Sequence, residues 1–221
     1  METLLAFATA LVALRLAGDL AGRYRARRSP TLAVWAAAIL AYAVASAALA
    51  WGAAAGWDER AFRVYYLFGG LLTAPLLGAG SLLLAGRRWA LPVALVYAGL
   101  AVGVAVSAPL SAPVTGASIP EAQEHLAFVP ARLLALLGNS AGTAAVVAVA
   151  LVTIRRRPLG NALILAGVAV AAAGSALAGL GEAETSAFIA AGAVLLYAGI
   201  LFASGERRRT QAPAAAASPR N

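Results

Sequence analysis

Seven long apolar stretches run along the chain, and charged or Pro/Gly-rich breaks separate them. A helix needs about 20 apolar residues to cross a hydrocarbon core of roughly 30 Å, and each stretch is long enough. The pattern predicts an all-α, polytopic membrane bundle of seven transmembrane helices, because a β-barrel would show alternating strands of about ten residues. The predicted spans, within a domain of residues 1–204, cover residues 3–22, 31–55, 61–84, 89–108, 131–154, 159–180 and 185–204.

The arginines indicate the orientation of this bundle. They cluster after the first, third, fifth and seventh stretches, whereas the acids lie mostly at the opposite ends: Glu2, Asp58, Glu59, Glu121, Glu124, Glu182 and Glu184. Because positive residues stay in the cytoplasm, the N-terminus is predicted outside and the C-terminus inside a bacterial inner membrane. The first stretch is predicted to be a retained anchor and not a signal peptide, since its positive charge follows the apolar run. Residues 205–221 then form a disordered, basic cytoplasmic tail.

The composition narrows the classes of function. Hydrophobic residues make up 62% and charged residues 12% of the chain, and the mean hydropathy is +0.83, which excludes a soluble enzyme and a disordered chain. The 17 basic residues are all arginine and cysteine is absent, which excludes covalently bound retinal, disulfides and cysteine-ligated metals. We expect no cofactor, no metal and no nucleic-acid partner. Membrane lipids and a small-molecule ligand are the expected partners, and homo-oligomerisation stays open.

Two parts of the chain show a similar pattern. Arg28-Ser29-Pro30 opens the second span, and Arg156-Arg157-Pro158 opens the sixth. Ala79-Gly80 and Ala198-Gly199 close the third and seventh spans, each followed six residues later by another glycine. This similarity suggests a 3+1+3 arrangement of two parallel repeats joined by the fourth span. Chance alignment of alanine-rich helices is the alternative.

The third span carries a row of polar and small residues at three- and four-residue steps, which places them on one face. The row consists of Glu59, Arg63, Tyr66, Gly70 and Thr73. Glu59 precedes Arg63 by four residues, the favourable order for an ion pair, and Asp58 is placed to cap the helix. Pro75 removes one N–H and is expected to kink the helix. Such a helix suits a ligand pocket or a gate. The alternative is an outer aromatic belt of Trp51, Trp57, Tyr65 and Tyr66, with Arg60 and Arg63 as anchors at the membrane surface.

The fifth span places further polar groups at similar depth. Arg132 and Asn139 are seven residues apart and share a face, with Thr143 one turn further on. An asparagine cannot stay unpaired in lipid, so Asn139 is predicted to face the bundle. It either makes a plain interhelical hydrogen bond or lies opposite Arg63 and Tyr66, in one pocket between the third and fifth spans.

Ionisable residues elsewhere have simpler interpretations. Arg15 and Asp19 lie four apart in the first span, where they line a polar cavity or neutralise each other near the cytoplasmic boundary. In the loop at 109–130, Ser118 and Glu121 have the spacing of a capping box for a short helix. His125, the one histidine, is interpreted as a surface residue because a single histidine makes a poor metal site.

Three segments resemble a family of uncharacterised bacterial seven-helix integral membrane proteins. The first combines Gly56-Trp57 with the run from Phe62 to Gly69, which reads Phe-Arg-Val-Tyr-Tyr-Leu-Phe-Gly; the others are Asn139–Thr143 and Asn161–Ile164. The resemblance covers all seven spans, excludes the tail, and implies this topology without any chemistry. Members of the family often carry a glutamate late in the second span, where this chain reads Leu49-Ala50-Trp51-Gly52, which weakens any site built around that span.

The sequence favours a non-enzymatic function. An enzyme needs an acid, base or nucleophile set within reach of a substrate, and no span contains histidine or cysteine. The polar faces favour a protein that binds or transports a small polar or anionic solute, through a pocket of Glu59, Arg63, Tyr66, Thr73, Arg132, Asn139 and Thr143. A membrane scaffold or sensory partner protein without a transported ligand is the alternative.

Overall fold

The fold is helical throughout the part of the chain that can be described. A computed structural model describes residues 2–116, 118–156 and 158–179, with positions 191, 192, 194, 195, 198, 199 and 202. These residues contain no β-strand, only one isolated bridge between Leu110 and Leu126. The all-α prediction is therefore confirmed. The helices are α1 (Glu2–Arg27), α2 (Pro30–Ala55), α3 (Glu59–Leu84), α4 (Ala90–Ser107), α5 (Ala122–His125), α6 (Phe128–Arg156) and α7 (Pro158–Gly179).

Four of these helices, α2, α3, α4 and α6, are long and apolar enough to cross a membrane. They coincide with the predicted second to fifth spans. The predicted first and sixth spans also fall on long helices, α1 and α7. The predicted seventh span, 185–204, lies largely outside the described residues, and the predicted tail, 205–221, lies wholly outside them.

Local backbone chemistry explains where the helices end. Arg28 adopts a φ of 51° after α1 and donates its N–H to the carbonyl of Tyr24 at 2.7 Å, while Pro30 occupies the first turn of α2. Proline suits that position because the first-turn N–H groups have no helical partner. Gly56 and Gly86 follow α2 and α3 with φ of 90° and 86°, a conformation that glycine adopts without strain. These backbone conformations therefore end the helices at the predicted breaks.

The chain divides into two compact units, Met1–Val146 and Val147–Asn221. In the first unit α2 is central, since it contacts both α1 and α3. Of the 18-residue apolar stretch by which α2 could cross a membrane, 61% is buried. The fully buried Trp35 of α2 lies against Gly80 of α3, where any side chain would overlap the indole ring. In the second unit, buried Asn161 donates to the hydroxyl of Thr153 at 2.9 Å. Each unit thus has its own packed contacts.

The outward side of α4 is strongly apolar. Only 17% of its 18-residue apolar stretch is buried. Four side chains are each more than half exposed: Val93, Leu95, Val96 and Leu100. An exposed apolar surface of this kind marks contact with a membrane or with another protein. It agrees with the prediction that the excess apolar side chains face lipid.

The connection between α4 and α6 folds against the start of α3. Ser111 donates its N–H to the carbonyl of His125 at 2.8 Å, and Trp57 donates its N–H to the carbonyl of Gly116 at 2.7 Å. His125 is 9% exposed, with its ring edge-on to Phe62 at 5.5 Å between centroids. The prediction of a surface histidine is therefore wrong, because the loop closes over it.

The predicted capping box in this connection is also wrong. The helix begins at Ala122, and Glu121 has an extended backbone and makes no capping hydrogen bond through its side chain. Ser118 lies outside the helix. The helix of Ala122–His125 is only one turn long, because tertiary contacts of the loop, and not a local cap, position it.

Candidate polar site between the third, fourth and sixth helices

The middle of α3 is a π-helical segment, Tyr66–Leu72, with hydrogen bonds between residues five apart. Thr73 closes this segment, since its N–H and its hydroxyl both donate to the carbonyl of Phe68, the hydroxyl at 2.7 Å. In the five-residue register, the carbonyl of Gly70 would accept from Pro75, which has no N–H. The helix therefore widens immediately before the proline and leaves the Gly70 carbonyl without that donor.

Asn139 of α6 donates to this carbonyl. Its side-chain Nδ2 lies 2.9 Å from the oxygen of Gly70, across 69 residues of sequence. The prediction that Asn139 faces the bundle and bonds to another helix is confirmed. The interaction joins α3 and α6 one turn beyond Tyr66.

Two buried atoms in this region have no hydrogen-bond partner within the described residues. They are the hydroxyl of Tyr66 and the side-chain oxygen of Asn139; a third such atom, Nε1 of Trp57, belongs to a ring that packs against Tyr65. Tyr66 is 8% exposed, its ring stacks on Phe62 at 6.0 Å, and a Cβ on Gly70 would lie 3.2 Å from that ring. We call Tyr66, Gly70 and Asn139 the Tyr66–Asn139 cluster. It offers one free donor and one free acceptor.

Arg63 makes a separate set of contacts at the boundary of α3 and α4. Its guanidinium pairs with Glu59 at 2.8 Å, as predicted, and donates through Nη1 to the carbonyl of Ala105 at 2.7 Å. An α-helix would supply that carbonyl with the N–H of residue 109, which is Pro109. Arg63 therefore replaces a donor that the proline lacks. The predicted cap by Asp58 is also confirmed, since its Oδ1 accepts from Ala61 at 2.7 Å.

Arg132 and Tyr97 lie around the Tyr66–Asn139 cluster. The guanidinium of half-exposed Arg132 lies over the ring of Phe128 at 5.5 Å and within coulombic range of the Tyr66 hydroxyl. Tyr97 of α4 donates its hydroxyl to the carbonyl of Leu134 at 3.2 Å. A cation and a second tyrosine thus lie near Tyr66, and both belong to the same unit as the cluster.

The seven residues predicted for the pocket do not all come together. Glu59 and Arg63 form one group with α4, while Tyr66, Asn139 and Arg132 form another. The hydroxyl of Thr73 is directed to its own helix. Thr143 is exposed and makes no hydrogen bond within the described residues, so it does not join either group.

The aromatic belt proposed as the alternative is only partly formed. Trp51 is 65% exposed, as a belt residue would be, but Trp57 is 4% exposed and packs its ring edge against Tyr65 at 5.5 Å. Arg60 is exposed, whereas Arg63 has 25% of its side chain exposed and is hydrogen-bonded. Trp57 and Tyr66 are therefore buried inside the fold, and the belt interpretation is wrong for these two residues.

The chain was compared with protein-family models, with curated proteins and with solved structures. None of these comparisons gave a match. The resemblance to a family of seven-helix membrane proteins therefore stays a prediction.

Two participants in these contacts, Tyr97 and the carbonyl of Ala105, were not singled out from the sequence, and the burial of His125 was not predicted either. Tyr97 is a polar residue inside the predicted fourth span, which marks it as a candidate for an interhelical contact. The carbonyl of Ala105 could have been found from Pro109 four residues later, which removes its donor. The burial of His125 has no local signal, because it depends on a loop closure to Phe62.

Within the described residues the Tyr66–Asn139 cluster offers hydrogen-bonding groups and no catalytic set. Tyrosine hydroxyl and asparagine oxygen are a donor and an acceptor at neutral pH. Within the described residues no three histidine or acidic side chains lie together in a way that would hold a metal ion. The arrangement suits recognition of a neutral or anionic polar group, with Arg132 as the nearby cation.

Proposed function

We propose that this protein is a non-enzymatic bacterial inner-membrane protein that binds, and transports, a small polar or anionic solute. The solute lies in the Tyr66–Asn139 cluster between the predicted third and fifth spans. In this proposal the chain crosses the membrane seven times, with its N-terminus outside, its C-terminus in the cytoplasm and two parallel repeats around the fourth span. Arg63 is not a ligand residue in this version of the site, because Glu59 and Ala105 engage its donors.

The pair of unsatisfied atoms, the Tyr66 hydroxyl and the Asn139 oxygen, supports this proposal most directly. A buried donor or acceptor without a partner costs about 1–3 kcal/mol, and more in hydrocarbon. A solute with an acceptor and a donor, such as a carboxamide or an alcohol, would satisfy both atoms. The neighbouring π segment agrees with this role, since such segments are frequent at functional sites.

Tyr66→Phe is expected to separate ligand binding from folding. It removes only the hydroxyl, so the solute-free protein should keep its stability or gain about 1 kcal/mol, because an unpaired buried group is lost. Stabilisation by solute should disappear. Thermal unfolding in detergent measures both effects, with acetate, acetamide, glycine, glycerol and inorganic phosphate as the probes.

Tyr65→Phe is the matched control, because Tyr65 precedes Tyr66 and its ring packs against Trp57 instead. A probe that binds at 100 times its Kd should stabilise the wild-type protein and this control by about 2.7 kcal/mol, but not Tyr66→Phe. The same stabilisation in all three proteins would place the solute elsewhere. A loss of solute-free stability in Tyr66→Phe would mean that the hydroxyl already has a partner.

The proposed topology makes its own prediction. Reporter fusions after Arg28, Arg88 and Arg157 should show a cytoplasmic location, and fusions near Glu59 and Glu121 an external one, because arginine-rich ends stay inside. A fusion near Glu184 should also be external. Paired reporters that are active on opposite sides of the membrane measure this. A cytoplasmic signal from the loop at 109–130 would contradict the seven-span arrangement.

A scaffold or sensory partner without a transported solute is the second candidate. Its support is that Arg63 and Asn139 both donate to main-chain carbonyls, which is a structural use of a polar side chain. It predicts that none of the five probes stabilises the protein. The unfolding experiment on Tyr66→Phe therefore decides between the two candidates.

A further inference from the structure

One face of α1 has no covering element within the described residues. Leu4, Leu11, Gly18 and Gly22 follow each other on this face at steps of seven and four residues, and all of them are exposed. A Cβ added to Gly18 or to Gly22 would meet no atom within 4 Å. In the half of the helix near Leu4 the face borders a groove of about 590 Å³ between α1 and α2, lined by apolar side chains such as Phe7, Leu11 and Trp51.

Two opposite charges lie on the same face. Arg15 is about 20 Å along the axis from the start of α1, near the middle of a helix that crosses the membrane in the proposed topology, and Asp19 follows one turn later. Both side chains are exposed, and the described residues include no ion pair for either. Mutual neutralisation, one of the two interpretations of Arg15 and Asp19, thus has no direct ion pair behind it within the described residues. Charges that face lipid at this depth are costly, so the face needs a polar partner.

We propose that this face of α1 is the contact between two copies of the chain, related by a two-fold axis along the membrane normal. In such a parallel pair the Arg15 guanidinium of each copy meets the Asp19 carboxylate of the other. The two charges per copy cancel, and a self-complementary patch is what a two-fold contact requires. Gly18 and Gly22 lie four residues apart on this face, on either side of Asp19 along the helix. They allow the two backbones to approach closely.

A second copy fits this face better than lipid does. Acyl chains fill the apolar groove beside Leu11, but they offer no partner to a guanidinium or a carboxylate. A copy of α1 supplies an apolar ridge for the groove and the complementary charge one turn away. The proposal rests on the placement of α1 across the membrane, which the fusion after Arg28 tests separately, and it is independent of the solute site.

Charge reversal in two differently tagged chains tests the contact. The Arg15→Asp chain carries two acids on the face and the Asp19→Arg chain two arginines, so each should repel itself. The dimer fraction of each variant expressed alone should be at least about tenfold lower than that of the wild-type chain. Co-expression of the two variants should restore a mixed dimer. Pull-down through one tag and detection of the other measure the mixed pair.

Cross-linking supplies a readout that does not require reversed charges. The chain has no cysteine, so Ala8→Cys on the exposed face should give a disulfide-linked dimer in oxidised membranes. Ala13→Cys is the control, because Ala13 is 3% exposed on the opposite, packed side of α1. The proposal is overturned if Ala8→Cys stays monomeric, or if the mixed pair is no more abundant than either variant with itself. Those results would mean that residues of the same chain or lipid cover the face.

Discussion

Gly78→Ala should destabilise the protein by about 3 kcal/mol, near the upper end of what overpacking costs. A Cβ on Gly78 would lie 2.6 Å from the Cα of Gly142, and a Cβ on Gly142 would overlap the carbonyl of Ala74. Both neighbours are backbone atoms, so no side chain can rotate to make room. α3 and α6 must therefore separate, which also lengthens the hydrogen bond from Asn139 to Gly70.

Gly103→Ala is the matched control for this change. Gly103 is an exposed helical glycine of α4, and a Cβ there would meet no atom within 4 Å. Alanine is the better helix former, so this variant should keep its stability or gain up to about 1 kcal/mol. Equilibrium unfolding in detergent compares the two variants. An equal, small effect at both positions would mean that α3 and α6 do not approach closely at Gly78.

Arg63→Ala should cost about 2–3 kcal/mol, the range for hydrogen bonds that involve a charged group. The change removes the ion pair with Glu59 and leaves the carbonyl of Ala105 without a donor. The loss stays below that of a fully buried pair, because 25% of the Arg63 side chain is exposed and solvent screens it. Arg60→Ala, at an exposed position of the same helix turn, should change the free energy of unfolding by less than about 0.5 kcal/mol.

Pro109→Ala provides a sharper test of why Arg63 matters. It restores an N–H four residues after Ala105, so α4 can extend and satisfy that carbonyl itself. Arg63→Ala should then cost less in the Pro109→Ala background than in the wild-type background. A double-mutant cycle of unfolding free energies measures this coupling. Additive effects would show that the bond between Arg63 and Ala105 contributes nothing to stability.

Helix positions were predictable because membrane-length apolar runs depend only on local composition. The predicted span 31–55 corresponds to the helix Pro30–Ala55, and the predicted span 89–108 corresponds to the helix Ala90–Ser107. The Asp58 cap and the pair of Glu59 with Arg63 were predictable for the same reason. They join residues three and four apart, so one helix turn already brings them together.

The loop at 109–130 was predicted poorly because distant residues determine its structure. A capping box was expected from Ser118 and Glu121, but main-chain bonds to Ser111 and Trp57 hold the segment instead. His125 is buried because Phe62, in another helix, lies against its ring. None of these partners is visible in the local sequence pattern.

Pro75 and Pro109, in the polar region, show what the sequence determined by itself and what only the tertiary structure decided. The sequence alone determines that Pro75 and Pro109 cannot donate, so that carbonyls near Gly70 and at Ala105 lack their regular partners. Only the tertiary structure decides which side chain replaces them, Asn139 from 69 residues away and Arg63 from 42 residues away. The reason is physical: a missing N–H is a property of one residue, whereas its replacement depends on which helices pack together.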